Sequence, residues 1–432
     1  MESPEFIHHI GRGTFSLSNF TIDLSFKLLQ NSHWIGIVAD IEDSLDIVLH
    51  LVSSGHTFPI QLSGILDDGR QVNASTLYLT KLQPTGSYYT SEFIVSKEIS
   101  LGQREETPPI ESRYPLTNYV EGDFSLIHDG WYINSIPCKS PETAKTIIKK
   151  WRYPTEGMTL QLRHENSTMD QHMDFTRVVM TLLSLASGTG VSCHRQFFTW
   201  ANKELEIWGH MIGDEIGPGH IIPEFEAGRF LEQTLPAWQS LSKDQQKAIR
   251  LAINHINLSE LGYLDERLFH IFQSWEFLAE TWGMHGVLDD SVTCLRSQLQ
   301  QTRKQWLKDH QDSDPNGFWG SRISSIFEWP KAIDAIEKLA DHFGLNLKQV
   351  GLDLKLLKDA RDDVAHSGKL SKELSKTGEQ ALTLLITSRY YLQLLLLRML
   401  SYQGLVYHAT NKSQTIKKID QALITIYNQN VI

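Results

Sequence analysis

The chain has almost no cysteine. Cys138, Cys193 and Cys294 are three in 432 residues, odd in number and far apart. They give no disulfide framework and, without a C-x-x-C pair, no thiolate zinc site. A reducing, cytoplasmic setting fits this usage. Positive charge is also lacking: the formal net charge is -11, which argues against a generally basic nucleic-acid binder. The opening residues MESPEFIHHIGRG show no basic region followed by an apolar one, so no secretory signal is expected. There is no internal repeat and no low-complexity tract. Nor is there an unbroken apolar run of membrane length. The most apolar stretch, LTLLITSRYYLQLLLLRML (382–400), is interrupted by Arg389, Gln393 and Arg398. Arginine at mid-bilayer is costly, so this stretch reads as a buried bundle helix and no membrane contact is expected.

What is present is ordinary for a globular protein: 41% hydrophobic and 21% charged residues over a length that suits two or three domains. The charge is uneven. From Arg250 onward there are 21 basic and 21 acidic residues, whereas the first 249 residues hold 19 and 30 and so carry the whole -11. Two different surfaces are implied.

Residues 13–135 read as strands. FTIDLSF alternates through Phe20, Ile22, Leu24 and Phe26, and STLYLTKL through Leu77, Leu79 and Leu82, the last out of register. Turn signals stand at Asp67-Asp68-Gly69, Pro84-Thr85-Gly86 and Glu121-Gly122-Asp123. GQREETPPIESRYP (102–115) reads as a loop. A mixed stretch follows. It has a helix opening at Pro141-Glu142, a helix TMDQHMDFTRVVMTLLSLASG stopped by Gly188, two strands in VSCHRQFFTW and KELEIWGHMI, and a loop over 213–223. Beyond about 240 the pattern is helical. Ser242 is an N-cap. DERLFHIFQSWEFLAETWG sets Leu268, Ile271, Phe272, Trp275, Leu278 and Ala279 on one face and ends at Gly283. Helices are expected over 289–310 and 321–343, across NLKQVGLDLKLLKDARDDVAHSG, in the long apolar stretch, and in SQTIKKIDQALITIYNQ. The fold class is therefore α+β: a β-rich antiparallel N-terminal domain (1–135, sandwich or barrel), a mixed connecting region (136–240) and an all-α bundle (241–432).

One segment suggests a reaction. RDDVAHSG (361–368) places Arg361, a permanent cation suited to two-point phosphate contact, five residues before His366, which titrates near neutral pH. The spacing alone is weak. With 17 arginines and 18 histidines, chance gives about 0.7 such matches per chain. A second match, Arg250 to His255, lies inside an amphipathic stretch with no glycine until Gly262 and reads as coincidence. At the first site Gly368 follows closely, and Asp362 can orient Arg361 or His366. On an ideal helix the two side chains diverge by about 140°. Either the helix ends in a distorted last turn, or two chains build one site. If catalytic, the chemistry is RNA transesterification. His366 moves the proton of the ribose 2′-hydroxyl and Arg361 stabilises phosphate charge, leaving a 2′,3′-cyclic phosphate. The plainer alternative is a solvated helix end, with His366 near the C-terminal dipole.

Arg361-Asp362-Asp363-Val364-Ala365-His366 resembles the motif of HEPN-domain ribonucleases, and its setting is similar: FQSWEFLAETW before it and a long apolar helix after. The front, with GTFSLSNFTIDLSF and IQLSGILDDGRQVNASTLYLTKL, resembles that of ApeA-like proteins. The resemblance covers most of the chain, though only the motif is specific. That family often has Asn where this chain has Asp362. The resemblance implies a cofactor-free, metal-independent endoribonuclease with Arg361, His366 and Asp362 at its site. It also implies an RNA substrate, a homodimer in which two motifs meet, and a role in anti-phage defence by abortive infection. The acidic front would then sense a phage-derived trigger. The alternative is a non-catalytic HEPN module that binds RNA, a nucleotide or a protein.

Other candidates carry less. Glu276 reads as a solvated or interfacial acid, or as a helper facing the motif, with Glu280 one turn further on. His8-His9, His50 with His56, and Cys193-His194 form no recognisable metal-ligand set, and SGTG (187–190) reads as a helix stop rather than a phosphate loop. Trp151, Trp200, Trp208 and Trp275 read as core residues, while Trp319 and Trp329 could stack on a base.

Overall fold

The computed structural model describes residues 6–17, 20–30, 35–42, 59–85, 88–95, 98–117, 119, 123–137, 156–209, 220–259, 262–284, 290–310, 332–368, 370, 378–410 and 413–424. The expected features at Pro141-Glu142, Trp151, Gly122, His50, His56, Cys138, Trp319 and Trp329, and most of the 213–223 loop, lie outside these residues. The chain divides into two compact units, Met1–Glu232 and Gln233–Ile432.

The N-terminal unit is built on one antiparallel sheet. Its strands are β1 (Phe6–Leu17), β2 (Phe20–Gln30), β3 (Ile35–Glu42), β4 (Ile60–Leu66), β5 (Gln71–Thr85), β6 (Tyr88–Val95), β7 (Glu98–Leu101), β8 (Glu111–Thr117), β9 (Ser125–His128), β10 (Trp131–Pro137), β11 (Glu156–Arg163), β12 (Arg195–Trp200) and β13 (Lys203–Gly209). The order is β4-β1-β2-β3-β6-β5-β7-β13-β12-β8-β11-β10-β9, and β4 also pairs with β5. The first six strands therefore close into a ring, which removes their edges. Alternation drives this: Leu24, Phe26 and Leu28 of β2 point inward while Asp23, Ser25 and Lys27 face solvent. Ile22 packs at the margin of the same core. The slip anticipated at Leu82 is real. The β5–β6 register shifts between Leu79 and Lys81, and this turns Leu82 back towards the core. Gly13 and Gly64 face each other across β1 and β4, and a Cβ on Gly64 would lie 2.7 Å from the Gly13 Cα, so the strands approach more closely there than side chains allow.

The expected turns and loop are shorter than the sequence suggests. Asp67-Asp68-Gly69 is a turn, with Gly69 at φ 86°, but Pro84 and Thr85 still belong to β5 and pair with Tyr89 and Tyr88. The 102–115 loop likewise ends at 110, since Pro115 sits in β8 opposite Thr159. Pro115 is tolerated because β12 pairs β8 only at residues 111–113, so the missing N–H breaks no ladder bond with β12. Pairing continues past residue 135: β10 joins β11, and β12 and β13 stand between β8 and β7. Helix α1 (Met169–Ser187) begins in a capping box, Thr168 with Gln171, and stops at Gly188 in the left-handed region.

The division between units falls inside α2 (Ala227–Ser240). The C-terminal unit continues with α3 (Lys243–Leu258), α4 (Leu264–Thr281), α5 (Asp290–Asp309), α6 (Ala332–His342), α7 (Leu354–Ser367), α8 (Gly378–Met399) and α9 (Ile419–Ala422). Ser242 caps α3 reciprocally with Gln245. The six residues expected on one face of α4 are all fully buried, and α3, α6, α7 and α8 pack around that helix. Within α8, Arg389 is buried and donates to Ser259 Oγ at 3.1 Å, and the Trp275 indole donates to Ser388 Oγ at 3.2 Å. Among the described residues no helix is long and apolar enough to cross a membrane.

The all-α expectation for this unit fails at its end. β14 (Leu405–Thr410) and β15 (Ser413–Lys418) form a hairpin where SQTIKK was expected to be helical. Val406 and His408 are buried on one side, and Thr415 and Ile416 are β-branched, so the local preference is for strand. The helix begins only at Ile419.

Candidate functional site

Helix α7 carries the motif. Asp353 caps it by accepting from the Leu356 N–H at 2.8 Å, and Leu354, Leu357 and Ala360 are its buried residues. Arg361 follows Ala360 and lies at the edge of that buried face. Gly368 closes the helix at φ 70°, donating its N–H to the Val364 carbonyl at 2.9 Å. The helix is α-helical through Ser367, so the last turn is not distorted, and Arg361 and His366 keep the divergence of an ideal helix.

Arg361 is held from three directions. Its Nη2 donates to Glu276 Oε2 at 2.8 Å and its Nη1 to Asp362 Oδ1 at 2.7 Å. The guanidinium lies over the Phe272 ring, 5.8 Å from its centre. Phe272 and Glu276 are one turn apart on α4, which supplies both the ring and the carboxylate. Asp362 also accepts from Lys358 one turn back. Burial works against the charge on Asp362, but the hydrogen bonds from Lys358 and Arg361 outweigh it and hold the carboxyl below its ordinary range. Burial likewise disfavours charged Arg361, and the Asp362 and Glu276 carboxylates more than restore it. The four groups sum to zero charge.

His366 stands apart. It is exposed and makes no hydrogen bond or ion pair among the described residues. Asp362 orients Arg361, not His366. The structure thus brings together Arg361, Asp362 and Glu276 with two residues not expected at the site: Lys358, and Phe272, which the sequence placed only in the core. The i,i+4 spacing of Lys358 to Asp362 was the available signal for one of these.

The second R-x4-H match contrasts at its histidine. His255 is buried in α3, its Nδ1 is 2.8 Å from Ser274 Oγ, and its ring lies 4.8 Å from that of His270. Burial, then His270, pushes its pKa down to about 4. Arg250 covers the Trp238 ring. His255 is therefore core packing, and Arg250 is an exposed cation over a buried ring.

No protein-family model, curated protein or solved structure matches this chain.

Its own residues therefore have to carry any functional reading. Among the described residues no cluster of three or more His, Cys, Asp or Glu side chains could hold a metal ion. His164 hydrogen-bonds Ser167 and packs on Trp131, a structural role. Trp200, Trp208 and Trp275 are buried, as expected from the sequence. A cavity of about 410 Å³ lies by the other end of α7, between Leu352, Asp353 and Leu356 on one side and Glu379, Thr383 and Leu384 on the other.

Proposed function

We propose that the C-terminal unit is a ribonuclease module of the HEPN type, acting by metal-independent transesterification. The observation that carries this reading is the placement of Arg361. A cation fixed by Glu276, Asp362 and the Phe272 ring presents its guanidinium in one orientation, as a phosphate-contacting arginine requires. His366 stands exposed in the same final turns, open to a substrate.

His366 removes the proton of a ribose 2′-hydroxyl. The 2′-oxygen then bonds to the adjacent phosphorus as the bond from phosphorus to the 5′-oxygen breaks. The leaving oxygen takes a proton and becomes a 5′-hydroxyl, and the other product ends in a 2′,3′-cyclic phosphate. Arg361 stabilises the charge on the phosphate oxygens as it builds. DNA, without the 2′-hydroxyl, is not a substrate. Because α7 is regular through Ser367, Arg361 and His366 of one chain diverge by about 140° and lie about 7.5 Å apart along the axis. A site shared between two copies resolves this, with Arg361 of one and His366 of the other at one phosphate. In this reading the enzyme serves anti-phage defence by abortive infection, and the acidic N-terminal unit restrains it until a phage-derived trigger binds.

A second reading has its own support. Two carboxylates already neutralise Arg361, as in a purely structural network. The module would then bind RNA, a nucleotide or a protein without cleaving. Incubation with total RNA in EDTA separates the two. Cleavage that disappears in His366→Ala supports the nuclease, and identical behaviour of both proteins sinks it.

A further inference from the structure

We propose that Asp362 is an autoinhibitory gate on Arg361: it fills the place a phosphate oxygen needs and moves aside onto Lys358 when RNA binds. This deepens the nuclease reading above and rests on it for the identity of the ligand.

The first observation is occupancy. The terminal fork of Arg361 already holds two carboxylates from different helices. Nη1 donates to Asp362 Oδ1 at 2.7 Å and Nη2 to Glu276 Oε2 at 2.8 Å. Two-point phosphate contact draws on the same planar donors. An incoming phosphate would be a third anion around one cation, and like charges so close oppose each other. One carboxylate has to give way.

The second observation is that the two are not equally free to leave. Glu276 stands on α4, one turn beyond Phe272 and next to Trp275, both fully buried. Its ion-pair partner among the described residues is Arg361. Without that bond a half-buried carboxylate would lack a cation, which is costly. Asp362 has a second partner, because its Oδ2 accepts from Lys358 Nζ. Lys358 and Asp362 are four residues apart and share one face of α7. Arg361 and Asp362 are adjacent, and their side chains leave the helix about 100° apart. The Lys358 pair therefore follows the helix, whereas the Arg361 pair needs both side chains to bend together. Asp362 can release Arg361 and stay paired. Glu276 and the Phe272 ring then keep the guanidinium aimed. The side chains of Lys358 and Asp362 are 35% and 29% exposed, so the exchange takes place at the surface and leaves the core packing alone.

The test uses the full chain carrying His366→Ala, in EDTA, so that RNA survives. Its affinity for a labelled oligouridylate of about twelve nucleotides is measured by fluorescence anisotropy over a range of salt. Asp362→Asn keeps the shape and removes the charge. It should tighten binding about threefold or more. It should also steepen the slope of log K against log salt by about 0.7, as one more cation meets phosphate. Adding Arg361→Ala should abolish the gain. Lys358→Ala should weaken binding when Asp362 is present and have little effect beside Asp362→Asn. An equal loss in both backgrounds would make Lys358 a direct phosphate contact and overturn the gate. Unchanged or weaker binding in Asp362→Asn overturns it too, as does a gain that survives Arg361→Ala, or no RNA binding by any of these proteins. Cleavage by the chain that keeps His366 is scored separately, and there the gain from Asp362→Asn should appear in KM rather than kcat. Tighter, Arg361-dependent binding without cleavage removes the nuclease and keeps this inference. Cleavage with binding unchanged in Asp362→Asn does the reverse.

Discussion

Acidification should destabilise the C-terminal unit through one buried histidine. His255 is 8% exposed and neutral. The Ser274 hydroxyl donates to the His270 carbonyl at 2.9 Å, so His255 Nδ1 must carry a proton and donate to Ser274 Oγ at 2.8 Å. Burial, with His270 adding to it, depresses the pKa from 6.5 to about 4. In the unfolded chain the imidazole takes up its proton near pH 6.5; in the folded unit it resists until about pH 4. Stability is therefore present in full above about pH 6.5, falls as pH drops through this window, and levels off below about pH 4. The loss is at most about 3 kcal/mol, because each tenfold change in proton affinity is worth about 1.4 kcal/mol. His172 in the N-terminal unit behaves alike. It is fully buried, 2.6 Å from Ser112 Oγ, with its pKa lowered to about 4 by burial and then by His164. Urea unfolding between about pH 7 and pH 4 measures the sum of both. His255→Asn keeps a donor near Ser274 and removes the titration, so the difference between the two proteins isolates His255. The variant should be less stable at neutral pH but should lose up to about 3 kcal/mol less on acidification. If both proteins show the same pH dependence, the argument is wrong.

Two further outcomes are expected. Glu276→Ala removes a pair whose side chains are 32% and 24% exposed, so unfolding should change by no more than about 1 kcal/mol. RNA cleavage in EDTA should nevertheless fall about tenfold or more, because Arg361 loses a positioning partner; unchanged cleavage would count against that role. Gly368→Ala meets no atom within 4 Å, so its cost is purely that of a left-handed backbone, about 1 kcal/mol in thermal or urea unfolding.

Local features were legible in the sequence because they are encoded within a few residues. Thr168, Ser242, Gly188 and Gly368 mark helix ends through hydrogen bonds and backbone angles that span four residues or fewer. The α4 core face follows from helical period, and the slip at Leu82 follows from the period of the strand. The hairpin at 405–418 was misread because SQTIKKIDQALI has apolar positions that suit a helix as well. Pairing with Leu405–Thr410 decided for strand.

The candidate site divides the same way. Arg361, Asp362 and His366 could be found by spacing and by the glycine beyond them. That Glu276 turns to Arg361 across 85 positions, that Phe272 lies beneath it, and that His255 is packed away while His366 is exposed depend on how α3, α4 and α7 pack. The sequence by itself determined which segments form helices and strands and where most of them stop, because those choices are local. Only the tertiary structure decided which charges meet and which stay open to solvent. Burial and ion pairing arise between residues the chain keeps far apart until it folds.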